Sequence, residues 1–283
     1  MTSTWNSAAP PDPMPRIGPL GWALGLLRGT ALVLLVFGGL VLLLSVRLAE
    51  RPLCGLRRPV TPYITQSVCR SAFRVLGMGF STRGALMPGQ GAVVANHSSW
   101  LDIFALNARK RIYFVSKSEV AGWPGIGALA RATGTVFIER KPRHARAQTA
   151  LLEARLHAGH KLLFFPEGTS TDGLRVLPFK TTLFASFFAE PLRAQMQIQP
   201  VAVIYRAPRD APPRFYGWWG DMAFGPHLLK VLTARRQGAV ELHYLDPVRV
   251  AAFSDRKALA AALEAEIRRT HARAMAAAPR PSG

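Results

Sequence analysis

The chain has 283 residues, with 36 Lys and Arg against 16 Asp and Glu, a formal net charge of +20 and 49% hydrophobic residues. That length suits one α/β domain with an appendage, and the charge calls for an anionic partner. Without zinc-finger spacing, an RNP-like aromatic motif or a basic zipper, nucleic acid is a poor candidate, and a membrane surface or an acidic carrier protein fits better. The two cysteines, Cys54 and Cys69, are too few for a disulfide framework and lack metal-ligand spacing, which points to a reducing compartment.

In chain order, residues 1–16 read as a disordered N-terminus. Residues 17–46 follow as an apolar run, Ile17 to Val46, broken only by Arg28, and the stretch from Gly29 to Val46 carries no charge. It is near the length needed to cross a bilayer. No polar face interrupts Ala31 to Leu44, which argues against a buried core helix. No basic segment precedes the run and no small-residue cleavage site follows it, so it reads as a retained anchor rather than a signal peptide. Arg28 leaves room for a hairpin or a tilted helix in one leaflet, its guanidinium reaching the headgroups. Arg47, Arg51, Arg57 and Arg58 then face a single Glu50, whereas before the run only Arg16 faces Asp12. That bias places the C-terminal domain on the cytoplasmic side of the inner (cytoplasmic) membrane.

Residues 47–83 read as a Pro- and Arg-rich connector, and residues 84–275 as the main folded domain. Strands are predicted at Ala92–Ala95, Ile112–Ser116, Thr135–Ile138, Lys161–Phe165, Ile198–Tyr205 and Val240–Leu245. Helices are predicted near Leu101–Ala108, Ala145–Leu156, Pro178–Phe188 and Arg256–Ala274. This alternation is that of an α/β sandwich. Residues 276–283 read as a disordered tail.

The chemistry concentrates in Asn96-His97-Ser98-Ser99-Trp100-Leu101-Asp102, at a strand-to-helix junction. Five residues is about 140° of helix, so His97 and Asp102 do not share a helical face and His97 precedes the helix. Ser99 reads as the N-cap, with Asp102 in the first turn folding back toward the imidazole. Such a dyad abstracts protons: the imidazole is the base, and the carboxylate fixes its tautomer and stabilises the imidazolium. Taken alone, the spacing also fits an ordinary loop histidine and a helix-terminal charge.

Three further segments accompany it: Gly134-Thr-Val-Phe-Ile-Glu-Arg140, Phe165-Pro166-Glu167-Gly168-Thr169, and Gln199-Pro200-Val201-Ala202-Val203. With Asn96, His97 and Asp102 as NHxxxxD, these four blocks in order resemble the glycerolipid acyltransferase family, whose members include 1-acyl-glycerol-3-phosphate acyltransferase. The resemblance runs from about Gly84 to Tyr205. It implies an acyltransferase-type sandwich, a mixed sheet with flanking helices behind an N-terminal membrane helix or hairpin. It implies that His97 and Asp102 are catalytic, and that Arg140 and Glu167 meet the acceptor's polar head, with Gly168 and Thr169 beside them. Lys117 is a further candidate for head-group or oxyanion contact.

Phosphatidate-forming members commonly continue FPEGT with arginine and serine, whereas this chain has Ser170-Thr171-Asp172-Gly173. The missing cation, which Arg175 or Lys180 could replace, resembles the branch that acylates lyso-ornithine lipid, whose head is zwitterionic. The expected reaction is direct transfer from an acyl carrier protein or coenzyme A thioester to a lysolipid hydroxyl, in membrane lipid biosynthesis. The sequence has no G-x-S-x-G elbow, P-loop, dinucleotide fingerprint or H-E-x-x-H site, so no cofactor or metal is expected. A non-catalytic basic membrane adaptor would explain anchor and charge but not the paired blocks.

Overall fold

The structure is a computed structural model that describes residues 4–89, 91–123, 125–139, 145–190 and 192–277. Helices α1 (Pro19–Cys54) and α2 (Thr61–Leu76) lead into β1 (Gly79–Arg83), β2 (Gly91–Ala95), α3 (Leu101–Arg109), β3 (Tyr113–Lys117), α4 (Ile126–Thr133) and β4 (Val136–Ile138). The second half runs α5 (Ala145–His157), β5 (Lys161–Phe164), α6 (Leu192–Gln195), β6 (Gln197–Arg206), α7 (Phe224–Thr233), β7 (Ala239–Tyr244), β8 (Val248–Arg249) and α8 (Arg256–Ala276). All six predicted strands and the helices α3, α5 and α8 form at or near their expected places. The segment around Pro178–Phe188 is instead a 3₁₀ helix at Thr181–Phe188.

The strands make one mixed sheet in the order β1-β7-β6-β2-β5-β3-β4, with β8 on the margin of β6. Strands β6, β2, β5, β3 and β4 are parallel neighbours, β7 is antiparallel to β6, and β1 is parallel to β7. Their carboxyl ends therefore gather at one edge, where open α/β sheets place ligand sites. Side chains of β2 and β6 alternate between two cores. Ala92, Val94, Ile198, Ala202 and Ile204 pack toward α5, α8 and the 3₁₀ helix. Val93, Ala95, Val201, Val203 and Tyr205 pack toward α2, α3 and α7.

The expected connector at 47–83 is built differently. Helix α1 continues through Pro52, close enough to the C-terminus that the lost N–H costs only one bond, and Gly55 at φ +58° ends it. The buried Glu50 then caps α2, accepting from the Val60 and Thr61 amides at 2.8 and 3.2 Å and from Thr61 Oγ1 at 2.7 Å. Cys69, Ala72, Phe73 and Leu76 bury one face of α2, and β1 joins the sheet.

Helix α1 is one continuous helix and not a hairpin, docked along the domain near both of its ends. A Cβ at Gly25 would lie 2.8 Å from Thr233 Cγ2 of α7, and one at Gly39 would collide with Val68 of α2. Arg28 does not reach outward to headgroups. It donates to the carbonyls of Leu232 and Ala234 at 3.0 and 2.6 Å, satisfying the open C-terminus of α7. Leu26, Leu27, Leu34, Phe37, Val41 and Leu42 remain exposed as an apolar outer face. Small residues at the contact and apolar ones outside are the pattern of a helix packed beside lipid. Gly39→Val should therefore pry α1 from α2 and cost about 1–3 kcal/mol, the usual penalty for overpacking, read as a lower thermal midpoint in detergent micelles.

Candidate active site

Strand β2 delivers the chain to the carboxyl edge, and Asn96 extends its ladder with a side chain. Its Nδ2 donates to the Val203 carbonyl at 2.9 Å and its Oδ1 accepts from the Val203 amide at 2.7 Å, so the loop leaves β2 tied to β6. Asp102 lies in the first turn of α3, fully buried. Its Oδ2 accepts from His97 Nδ1 at 2.7 Å, from the Ser98 amide at 2.7 Å and from the Ser99 amide at 3.1 Å. Ser99 Oγ accepts from the Leu101 amide at 3.3 Å, but the N-cap of α3 is Trp100 rather than the expected Ser99, and no side chain caps it.

The remaining carboxylate oxygen, Oδ1, accepts from Tyr205 Oη at 2.6 Å. Sequence reading did not single out Tyr205. Period-2 alternation along β6 places it on the face of Val201 and Val203, but only the packing of α3 on that face reveals its partner. Burial, reinforced by the neighbouring Asp102 charge, holds the phenol well above its ordinary pKa, so it stays a donor. With Nδ1–H given to an ionised carboxylate, the other imidazole nitrogen, Nε2, carries the lone pair. The ring stacks on Phe165 with centroids 4.0 Å apart and planes 11° apart, which fixes its tilt, and the side chain is 20% exposed.

Glu167 is turned inward. It is 1% exposed, with Oε1 accepting from the His97 amide and Oε2 from the Leu177 amide, both at 2.7 Å. Burial pushes its carboxyl up to about 8 against those two donors, which favour the anion. Its contacts are thus with the histidine loop rather than with the space where an acceptor head was expected. The Thr171 amide adds a bond to the His97 carbonyl and the Trp218 amide one to the Ser98 carbonyl, each 2.9 Å.

Gly168 adopts φ +71°, a conformation that favours glycine, while a Cβ there would meet only the flexible end of Lys180, Nζ at 2.9 Å. Lys117 ends β3 at the same sheet edge, beside Ile138 of β4. Arg140 lies outside the described residues. Ser170 is partly exposed, as is Thr169, and Arg175, half exposed, forks its guanidinium onto the buried Asp172 at 3.2 and 2.9 Å.

The N-terminal residues expected to be disordered instead cross this edge where they are described. The Trp5 amide lies 3.4 Å from Thr169 Oγ1, Arg175 sits over the Trp5 ring, and Trp5 packs near Trp219 at 6.4 Å. Asp12 accepts from Arg214 at 2.6 Å. Isolated from their partners these residues show no periodic signal, which is why the sequence hid them.

The sequence pattern of the Acyltransferase family matches residues 68–204. A lyso-ornithine lipid O-acyltransferase of Rhodobacter capsulatus is 60% identical over 92% of this chain and 93% of its own length. A 1-acyl-sn-glycerol-3-phosphate acyltransferase of Neisseria gonorrhoeae is 33% identical over 62% of this chain and 67% of its own. The crystal structure of the 1-acyl-sn-glycerophosphate acyltransferase PlsC from Thermotoga maritima shares the fold, with a TM-score of 0.65 at 21% identity, over 92% of this chain and 98% of that one. With the four blocks in family order around a His–Asp pair, the chain belongs to the glycerolipid acyltransferase family and is an acyltransferase.

Proposed function

We propose that this enzyme transfers a fatty acyl group from an acyl carrier protein or coenzyme A thioester to the hydroxyl of lyso-ornithine lipid, and accepts lysophosphatidate as well. The observation that supports the acceptor best is the 60% identity to a lyso-ornithine lipid O-acyltransferase over nearly both full lengths. Ser170, in place of the arginine common in phosphatidate-forming relatives, is consistent with it. In this reading His97 Nε2 takes the proton of the acceptor hydroxyl as its oxygen attacks the thioester carbonyl. The tetrahedral oxyanion collapses, the C–S bond breaks, and the departing thiolate takes the proton from the imidazolium. The oxygen–carbon bond replaces the sulfur–carbon bond without an acyl-enzyme, and the chemistry needs no cofactor beyond the donor itself.

Asp102 orients the imidazole and Tyr205 orients Asp102, while Glu167 acts as a positioning residue that holds the histidine loop. Lys117, Gly168 and Thr169 serve the acceptor head and the developing oxyanion from this sheet edge, and Arg140 is assigned to the head by the family resemblance alone. The apolar outer face of α1 seats the protein in the cytoplasmic leaflet of the inner membrane, where both lipids partition.

His97→Ala should lower kcat by roughly 10²–10⁴, the usual worth of general-base catalysis, with the fold intact by circular dichroism. Asp102→Asn should reduce kcat while leaving the acceptor KM in place, because its task is orientation. Steady-state assays on purified protein with both acceptors check the pair, and normal turnover of the His97 variant would remove the base from this mechanism.

Tyr205→Phe should reduce kcat about tenfold, as expected on losing a hydrogen bond to a charged group. The acceptor KM should stay in place, because the phenol acts on the orientation of Asp102 and His97 and not on binding. A purely structural tyrosine would instead lower the thermal midpoint and leave kcat per folded molecule unchanged.

Ser170→Arg should raise the preference for lysophosphatidate over lyso-ornithine lipid by roughly fivefold, the yield of about 1 kcal/mol. A head-to-head competition with mixed acceptors measures it, and an unchanged ratio would show that position 170 does not sense the head group.

A further inference from the structure

At the edge opposite the dyad, α1, the link to α2 and α4 enclose an open groove of about 410 Å³. Its lining includes Arg47, Arg51, Arg58 and Arg131 together with Leu40 and Leu44. Tyr113, Gly134 and His160 stand just behind it, at the amino ends of β3, β4 and β5, whereas His97 and Glu167 lie beyond the carboxyl ends. The groove is therefore separate from the catalytic site.

Its charge is poorly balanced. Among the described residues the only ion pair made by these four arginines is Arg47 to Glu50 at 3.1 Å, and Glu50 is already occupied in capping α2. Arg58 donates to the Ala132 carbonyl at 2.8 Å and Arg131 to the Ala121 carbonyl at 2.6 Å, so backbone oxygens hold them without neutralising them. The buried Nε of Arg58 has no hydrogen-bond partner among the described residues. Behind it Arg155 is nearly buried, its own Nε likewise without a partner among them. A Cβ at Gly134 would lie 3.0 Å from Arg58 Cζ and 3.2 Å from Arg155 Nη2, so two guanidinium groups crowd one point. Burial, followed by the charges of Arg58 and Arg47, brings Arg155 down to about 10, and His160 is held down to about 4 by burial and the same cations. Such an arrangement accommodates an anion readily.

The other wall is apolar. Leu40 and Leu44 continue into the exposed Val41, Leu48 and Leu53 of α1. Phosphate-sized positive charge adjoining an apolar helix face matches an anionic lipid rather than a soluble anion.

We propose that this groove binds an anionic membrane phospholipid that is not the reaction's substrate, its phosphate among Arg51, Arg58 and Arg131 and its acyl chains along Leu40 and Leu44 of α1. The inference rests on α1 lying at the membrane and not on the acceptor's identity. Flotation of the full chain with phosphatidylcholine vesicles, with or without a minority of phosphatidylglycerol, tests it.

The wild type should prefer the anionic vesicles, and Arg58→Gln with Arg131→Gln should reduce that preference about tenfold, since each surface basic contact is worth a fewfold. Arg51→Gln, at an exposed side chain, should reduce it a fewfold without disturbing the fold. Arg235→Gln with Arg236→Gln removes the same charge elsewhere and should change it little. Equal losses in that control, or a preference retained in the groove variants, would overturn the proposal. So would an unchanged vesicle preference with a raised KM for acyl carrier protein thioester, which would make the groove a carrier-docking surface. Binding to neutral vesicles should persist in every variant, which separates failure of this site from failure of membrane attachment.

Discussion

Asp102 carries no exposed surface, and its two oxygens accept hydrogen bonds from an imidazole, two backbone amides and a phenol. A buried carboxylate is costly unless its acceptor sites are filled, so the surrounding segments are constrained to bring those donors together. The His97 loop wraps the first turn of α3, α3 packs on the face of β6 that bears Tyr205, and β6 runs beside β2, which launches the loop. Each of these placements is tied to the same carboxylate. The catalytic geometry and the packing of the central sheet are for this reason one problem rather than two.

Glu167 plays a parallel part on the other side of the histidine. Its carboxylate is shared between the backbone of residue 97 and that of residue 177, so the turn after β5 and the loop after β2 are fastened by one side chain. The acids of the NHxxxxD and FPEGT blocks, Asp102 and Glu167, thus both face inward, one toward the imidazole and one toward its backbone. Rigidity of the imidazole follows from that double anchoring, together with the Phe165 ring beneath it. Preorganisation of this kind suits the proposed role of a single imidazole acting without an enzyme nucleophile.

Helix α1 gives this core its long apolar flank. It spans about 54 Å at 1.5 Å per residue, beginning close behind the Trp5 segment that touches Thr169 and ending at the arginine groove. Close approach at Gly25 and Gly39 and the Arg28 bonds to α7 hold it against the domain, leaving an apolar face outward. One helix therefore joins the side of the domain near the Trp5 segment to the arginine groove.

The sequence by itself determined the elements whose signals are local. The uninterrupted apolar run, the β-rich segments between turn residues and the order of the four blocks identified an α/β acyltransferase with an anchor, and the spacing of His97 and Asp102 with a helix start between them brought the pair together. It did not determine what depends on residues far apart in the chain. Helix α2 was hidden in a connector because its start is capped by Glu50 of the preceding helix, and β1 because a five-residue strand acquires its register only from β7. Tyr205 stands 103 residues from Asp102, and Glu167 carried a motif that marked its importance but not its direction. Whether a polar side chain faces a ligand or the protein's own backbone is decided by which donors the folded sheet edge leaves within its reach. Those donors come from different strands, so only the tertiary structure supplies the answer.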